Sequence, residues 1–245
     1  MNDQNVMSRY QGTGDAYLSK LFRNLLGILA AFTPLAVCGT LGHILGLKTI
    51  MSGMVIQLGY ALSLLSATAI LKLHGTGWKE LGLAWPKSWS RTLLISLVGI
   101  IGTIILINLV SAAAIYLSGS QLSEPDISRF NPITGNLFLL LLVVTFALTT
   151  NALGEEMLFR AFLTTWLADV LHKTRAGWIF AAIASTIIFG LAHYGEGITG
   201  MFTNGSFGLL FALVYVRNRR NLLSLIIAHG ILNSLRYLLI YLGVV

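Results

Sequence analysis

An all-α, polytopic transmembrane helix bundle is the fold class this sequence predicts, and three observations predict it. Of 245 residues, 56% are hydrophobic and only 10% are charged, against roughly one-quarter charged in ordinary soluble domains. Mean hydropathy is +0.79. Seven apolar runs approach or exceed the roughly 20 residues that a helix needs to cross about 30 Å of hydrocarbon.

In chain order the runs lie at 24–47, 52–73, 92–117, 136–168, 177–194, 203–217 and 221–244, giving seven spans, or eight if one is broken. Residues 1–23 read as a polar N-terminal arm and residues 24–245 as the transmembrane domain. The first run exceeds the roughly 7–15 residue core of a signal peptide, so it is expected to remain as a span. A straight helix over 136–168 would measure about 50 Å, which predicts a bend near Gly154 or a projecting end. The sixth run is short and the seventh carries polar residues in its middle, so either could be broken or re-entrant.

The formal charge of +7 does not point to nucleic acid, because the basic residues fall in short clusters between apolar runs rather than on one face. Twelve of the sixteen lie in the N-terminus (Arg9, Lys20, Arg23), loop 72–91 (Lys72, Lys79, Lys87, Arg91), loop 169–176 (Lys173, Arg175) and loop 217–220 (Arg217, Arg219, Arg220). Alternate loops hold only Lys48 and Arg129, so the positive-inside rule places the N-terminus in the cytoplasm. Three tryptophans, Trp78, Trp85 and Trp89, accompany the second basic loop, which suits the headgroup level. The lone Cys38 reads as packing, since it has no disulfide partner within the chain.

An ionisable side chain at bilayer depth costs roughly 2.5–3.5 kcal/mol even on the lenient insertion scale, so each one is a functional candidate. In Leu153-Gly-Glu-Glu-Met-Leu-Phe-Arg160, Glu156 and Arg160 stand four apart and share a helix face, the acid N-terminal to the base. They read first as a structural ion pair. Glu155 is turned about 100° away, which predicts a carboxylate without a local counter-charge. Phe189 and His193, and His229 and Asn233, repeat the spacing of four on two further helices. Helical rise puts these groups about 14–27 Å from their basic ends, a scatter that ordinary tilt absorbs. A shared intramembrane site is therefore geometrically open. Arg236 could pair either glutamate, bind a substrate carboxylate or snorkel outward, and Glu196 reads as a loop charge or as part of a cavity mouth. His43, His74 and His172 read as interfacial.

Such a group suits amide hydrolysis. Glu155 would take a proton from water, His193 would orient or polarise it, and His229 with Asn233 would donate to the developing oxyanion, where each donor contributes about 2.7–4 kcal/mol. Two histidines and a glutamate also form a ligand set for catalytic zinc. The His-Glu-x-x-His pattern of common zinc proteases is absent and Asn233 is a poor zinc ligand, so the metal-free arrangement is preferred and no cofactor is required.

Glu155-Glu156-x-x-x-Arg160, Phe189-x-x-x-His193 and His229-x-x-x-Asn233, in this order, resemble the CAAX protease and bacteriocin-processing family, which includes the Ras-converting type of CAAX endopeptidase. The resemblance covers about residues 136–240, with a softer match at Glu80-Leu-Gly-Leu-Ala-Trp-Pro86, and no motif position departs from the pattern. It implies an intramembrane, glutamate-dependent endopeptidase acting on a membrane-associated peptide or protein, of the compact prokaryotic kind. Carried over, Glu155 with His193 would activate water, Glu156 and Arg160 would hold the site together, and His229 with Asn233 would form the oxyanion hole. Two rival readings are a non-catalytic membrane partner or immunity-type protein, and a proton-coupled transporter. The chain shows no internal repeat of the kind transporters often carry.

Overall fold

The computed structural model describes residues 3–45, 50–118, 128–218 and 221–244. Among them there is no strand; the elements are α1 (Asp3–Ile44), α2 (Ile50–Leu73), α3 (Trp89–Ser118), a 3-10 turn (Ser128–Ile133), α4 (Leu137–Phe146), a π-helical segment (Ala147–Leu163), α5 (Thr164–Val170), α6 (Arg175–Leu191), a second 3-10 turn (Tyr194–Glu196), α7 (Gly197–Arg217) and α8 (Leu223–Tyr241). Lys48, Arg219 and Arg220 lie outside the described residues, as do the side chains of Arg9, His43 and Arg129.

Six helical stretches are long and apolar enough to cross a membrane: Tyr17–Gly42, Met51–Leu73, Trp89–Ala113, Leu137–Val170, Tyr194–Arg217 and Leu223–Tyr241. The seventh apolar helix, Arg175–Leu191, is shorter. This shifts one expectation. The sixth run, which seemed short as 203–217, extends back to Gly197 and forms one continuous helix, as does α8 despite its polar centre; the short member is the fifth. The polar residues of α7 and α8 do not interrupt them because helical hydrogen bonds stay within the segment. The first span likewise begins earlier than read, and α1 runs from Asp3 to Ile44 through Pro34 without a break.

The π segment is the hub. It touches α2, α4, α5, α6, α7 and α8, while α1 pairs with α2 and α6 with α7. The hydroxyls of Thr145, Thr149 and Thr150 each bond the carbonyl four residues back, and Thr164 closes the segment by bonding the carbonyl of Phe159, five back. Such back-bonding competes with the α ladder and favours bending or rewinding. The rewound ladder takes more residues per turn, so it shortens the long fourth run by winding instead of by a bend confined to Gly154.

Capping fixes where the flanking helices start. Asn136 accepts from the Leu139 amide at 3.1 Å at the head of α4, and Thr174 accepts from the Gly177 amide at 3.0 Å at the head of α6, which satisfies donors that a helix start leaves unpaired. Gly190 lets α6 and α7 meet backbone to backbone; a Cβ there would stand 3.0 Å from the Met201 carbonyl oxygen and 3.2 Å from the Gly205 Cα. The tryptophan-rich loop is half docked. Trp78 donates to Thr68 Oγ1 at 2.9 Å, Tyr215 donates to the Leu81 carbonyl at 2.7 Å, and Trp85 and Trp89 remain exposed.

Candidate active site

Three regions of the bundle bring the polar groups together. The π segment carries Glu155, Glu156 and Arg160, the turn that follows α6 carries His193, and α8 carries His229 and Asn233. Glu155, His193, His229 and Asn233 all line one cavity of about 590 Å³. Glu156 and Arg160 do not line it; they are wholly buried behind it.

The buried layer is an ion cluster. Glu156 Oε2 lies 3.3 Å from Arg160 Nε, and Glu156 Oε1 accepts from His229 Nδ1 at 2.8 Å. Neither terminal guanidinium nitrogen of Arg160 has a hydrogen-bond partner; instead the guanidinium carbon sits 4.1 Å from the ring centroid of Phe189, 5.5 Å from that of Phe207 and 6.0 Å from that of Phe211. Ring faces are electron-rich, so desolvated they attract a cation by about 2 kcal/mol or more. Gly208 admits this packing, since a Cβ there would stand 3.0 Å from Phe189 Cδ1 and 3.5 Å from Arg160 Nη2.

The cavity layer has a different logic. Glu155 Oε1 accepts from the Tyr60 hydroxyl at 3.0 Å, and Oε2 lies 3.8 Å from His229 Nε2. His193 Nδ1 contacts the Phe189 carbonyl oxygen at 2.8 Å. A carbonyl only accepts, so Nδ1 carries the proton and a neutral His193 presents the lone pair of Nε2. His229 Nδ1 must likewise donate to the Glu156 carboxylate, which leaves Nε2 as its one remaining polar edge.

The two glutamates take different sides of the segment, Glu155 on the cavity and Glu156 behind it, as helical rotation leads one to expect, yet both approach His229, because the π ladder advances less per residue than the α-helical 100°. Of the two readings of Glu196, the cavity position is the one observed: it is buried at 7% exposure and lines the cavity. Its Oε2 lies 3.7 Å from Arg236 Nη2 and 3.4 Å from Asn204 Nδ2. Arg236 therefore faces Glu196 and neither glutamate of the motif. His74 packs edge-on against Trp166 and bonds the Ile70 carbonyl, and His172 rests against Tyr17, both remote from the cavity.

Sequence reasoning missed Tyr60 and Gln57, which both line the cavity from α2. Gln57 Nε2 donates to Asn151 Oδ1 at 3.1 Å. The available signal was a glutamine and a tyrosine three apart, on one helical face of a mostly apolar run. Among the described residues no three His, Cys, Asp or Glu side chains form a group that could hold a metal ion.

Residues 136–235 match the family model described as Type II CAAX prenyl endopeptidase Rce1-like. Over this stretch, 100 of the 245 residues, the chain is similar to that CAAX protease family. No curated protein and no solved structure matches the chain. The Rce1-like segment begins at the cap of α4 and ends within α8. It takes in Glu155, Glu156, Arg160, His193, His229 and Asn233, and it leaves Tyr60 and the whole α1–α3 half outside. With six helices long and apolar enough to cross a membrane, the chain is an integral membrane protein.

Proposed function

We propose that the protein is an intramembrane endopeptidase in which Glu155 activates water to hydrolyse a peptide bond of a membrane-associated peptide or protein. The observation that carries this is the convergence of a carboxylate, an imidazole lone pair, the Nε2 edge of a second imidazole and an amide on one cavity within the helical bundle. Glu155 Oε2 takes a proton from water while His193 Nε2 accepts the second water hydrogen and fixes its aim. The oxygen attacks the scissile carbonyl, and the negative charge on the carbonyl oxygen is met by the Asn233 amide and His229 Nε2–H. Glu155 then returns its proton to the departing nitrogen as the C–N bond breaks.

This role has His229 carry both ring protons, Nδ1–H on the Glu156 carboxylate and Nε2–H toward the oxyanion. No step draws on a cofactor or a zinc ion. Metal analysis of the purified protein, paired with chelator treatment, checks that reading; one equivalent of zinc needed for turnover would reverse it. The basic loops support an orientation with the N-terminus in the cytoplasm.

The test is Glu155→Gln in purified protein with membrane-embedded quenched peptides, some bearing a prenylated cysteine. Loss of the general base lowers the cleavage rate about 10²–10⁴-fold with an unchanged unfolding midpoint. Equal cleavage by the variant sinks the mechanism, and absence of cleavage by the wild type favours the non-catalytic membrane-partner reading.

A further inference from the structure

We propose that Tyr60 is a positioning residue for the general base, supplied to the site by a helix outside the family-matched segment. This rests on the assignment of Glu155 as the base. The terminal torsion of a glutamate is broad and roughly two-fold, so a carboxylate reaching into a cavity has no intrinsic preference for which oxygen faces the reacting water. Tyr60 removes that freedom. Its hydroxyl donates to Glu155 Oε1 at 3.0 Å, which commits Oε1 and leaves Oε2, on the side of His229 Nε2, to exchange the proton.

The tyrosine is itself held. It is buried at 7% exposure, and one turn earlier on α2 Gln57 Nε2 donates to Asn151 Oδ1 at 3.1 Å. Asn151 and Glu155 stand four apart on the π segment, and Gln57 and Tyr60 stand three apart on α2, so the two bonds form successive rungs between the same two helices. Gly154 lies beside the upper rung, and a Cβ there would be 3.5 Å from Leu64 Cδ1 and 3.8 Å from Tyr60 Cδ1. The helices are therefore in direct contact at the level of the base. A phenol is suited to this post because it offers one donor on a rigid ring with two side-chain torsions, so little freedom is lost in holding it.

Tyr60→Phe deletes the hydroxyl and keeps the ring, so packing and folding are preserved. Three readouts apply to wild type, Tyr60→Phe and Glu155→Gln in detergent and lipid: the infrared carboxyl band of isotope-labelled glutamate, assigned to Glu155 by its loss in Glu155→Gln; kcat and KM on a quenched prenylated-cysteine peptide; and the thermal midpoint. Tyr60→Phe shifts the Glu155 band and lowers kcat about tenfold, with KM and midpoint unchanged. An unmoved band overturns the proposal, as does an unchanged kcat beside an inactive Glu155→Gln, or a raised KM at constant kcat, which marks a cavity-wall role. Full activity in Glu155→Gln identifies a different failure, that of the base assignment on which the proposal stands.

Discussion

In front of the π segment, Glu155 shares a cavity of about 590 Å³ with half-buried His193 and Asn233; behind it, Glu156 and Arg160 are sealed at 0% and 1% exposure under Phe189, Phe207 and Phe211. Two carboxylates adjacent in sequence thus carry charge by different means. The sealed side balances it with a fixed cation and ring faces, in a geometry that has no spare room. The open side leaves one carboxylate oxygen, one imidazole lone pair and one amide directed at a space that a substrate can enter. His229 joins the two sides, with Nδ1 on the sealed carboxylate and Nε2 toward the open one. The contrast teaches that a closed layer can fix orientation while the open layer keeps its polar groups accessible.

The largest way to break that division is Arg160→Leu. It leaves Glu156 charged and buried without its cation, and removing one partner of such a pair costs about 3–5 kcal/mol of stability; the unfolding midpoint and the amount accumulated in membranes should both fall steeply. A variant that accumulates and melts like the wild type would show that the sealed side is not a structural layer. Asn233→Ala probes the open side, where loss of an oxyanion donor should lower kcat by about 10²–10³ and leave the midpoint in place. A stability loss with kcat intact would move Asn233 to the structural side. The smallest effect is expected from Gly208→Ala, whose Cβ would meet Phe189 Cδ1 at 3.0 Å. Overpacking of this kind costs about 1–3 kcal/mol, and because Phe189 also bonds His193 through its carbonyl, activity should fall alongside stability. A neutral Gly208→Ala would mean that the ring cage can shift without disturbing the imidazole.

Much of the fold was legible, since apolar runs of about 20 residues have few alternatives in a bilayer. The i, i+4 spacing likewise placed Glu156 against Arg160, because that contact is local to one helix. Tyr60 was not legible, since its bond to Glu155 spans 95 residues and no short-range pattern records which helices become neighbours. Glu196 was only half legible, between a loop charge and a cavity position, because glycines on either side suggest a solvated loop. In the folded chain Gly200 leaves the space that its side chain occupies, a Cβ there falling 2.2 Å from Glu196 Cβ. That one histidine meets both glutamates was not legible for a third reason: a uniform α-helix was assumed across residues 147–163, where the ladder is π-helical.

That ladder separates two properties that an α-helix keeps tied together, how far a chain travels and which way its side chains point. Across Ala147–Leu163 a gain or loss of a single residue would barely alter the reach of the span, yet it would turn everything beyond it out of phase. The seventeen residues act as a dial whose setting, more than their number, decides whether Glu155 and His229 meet.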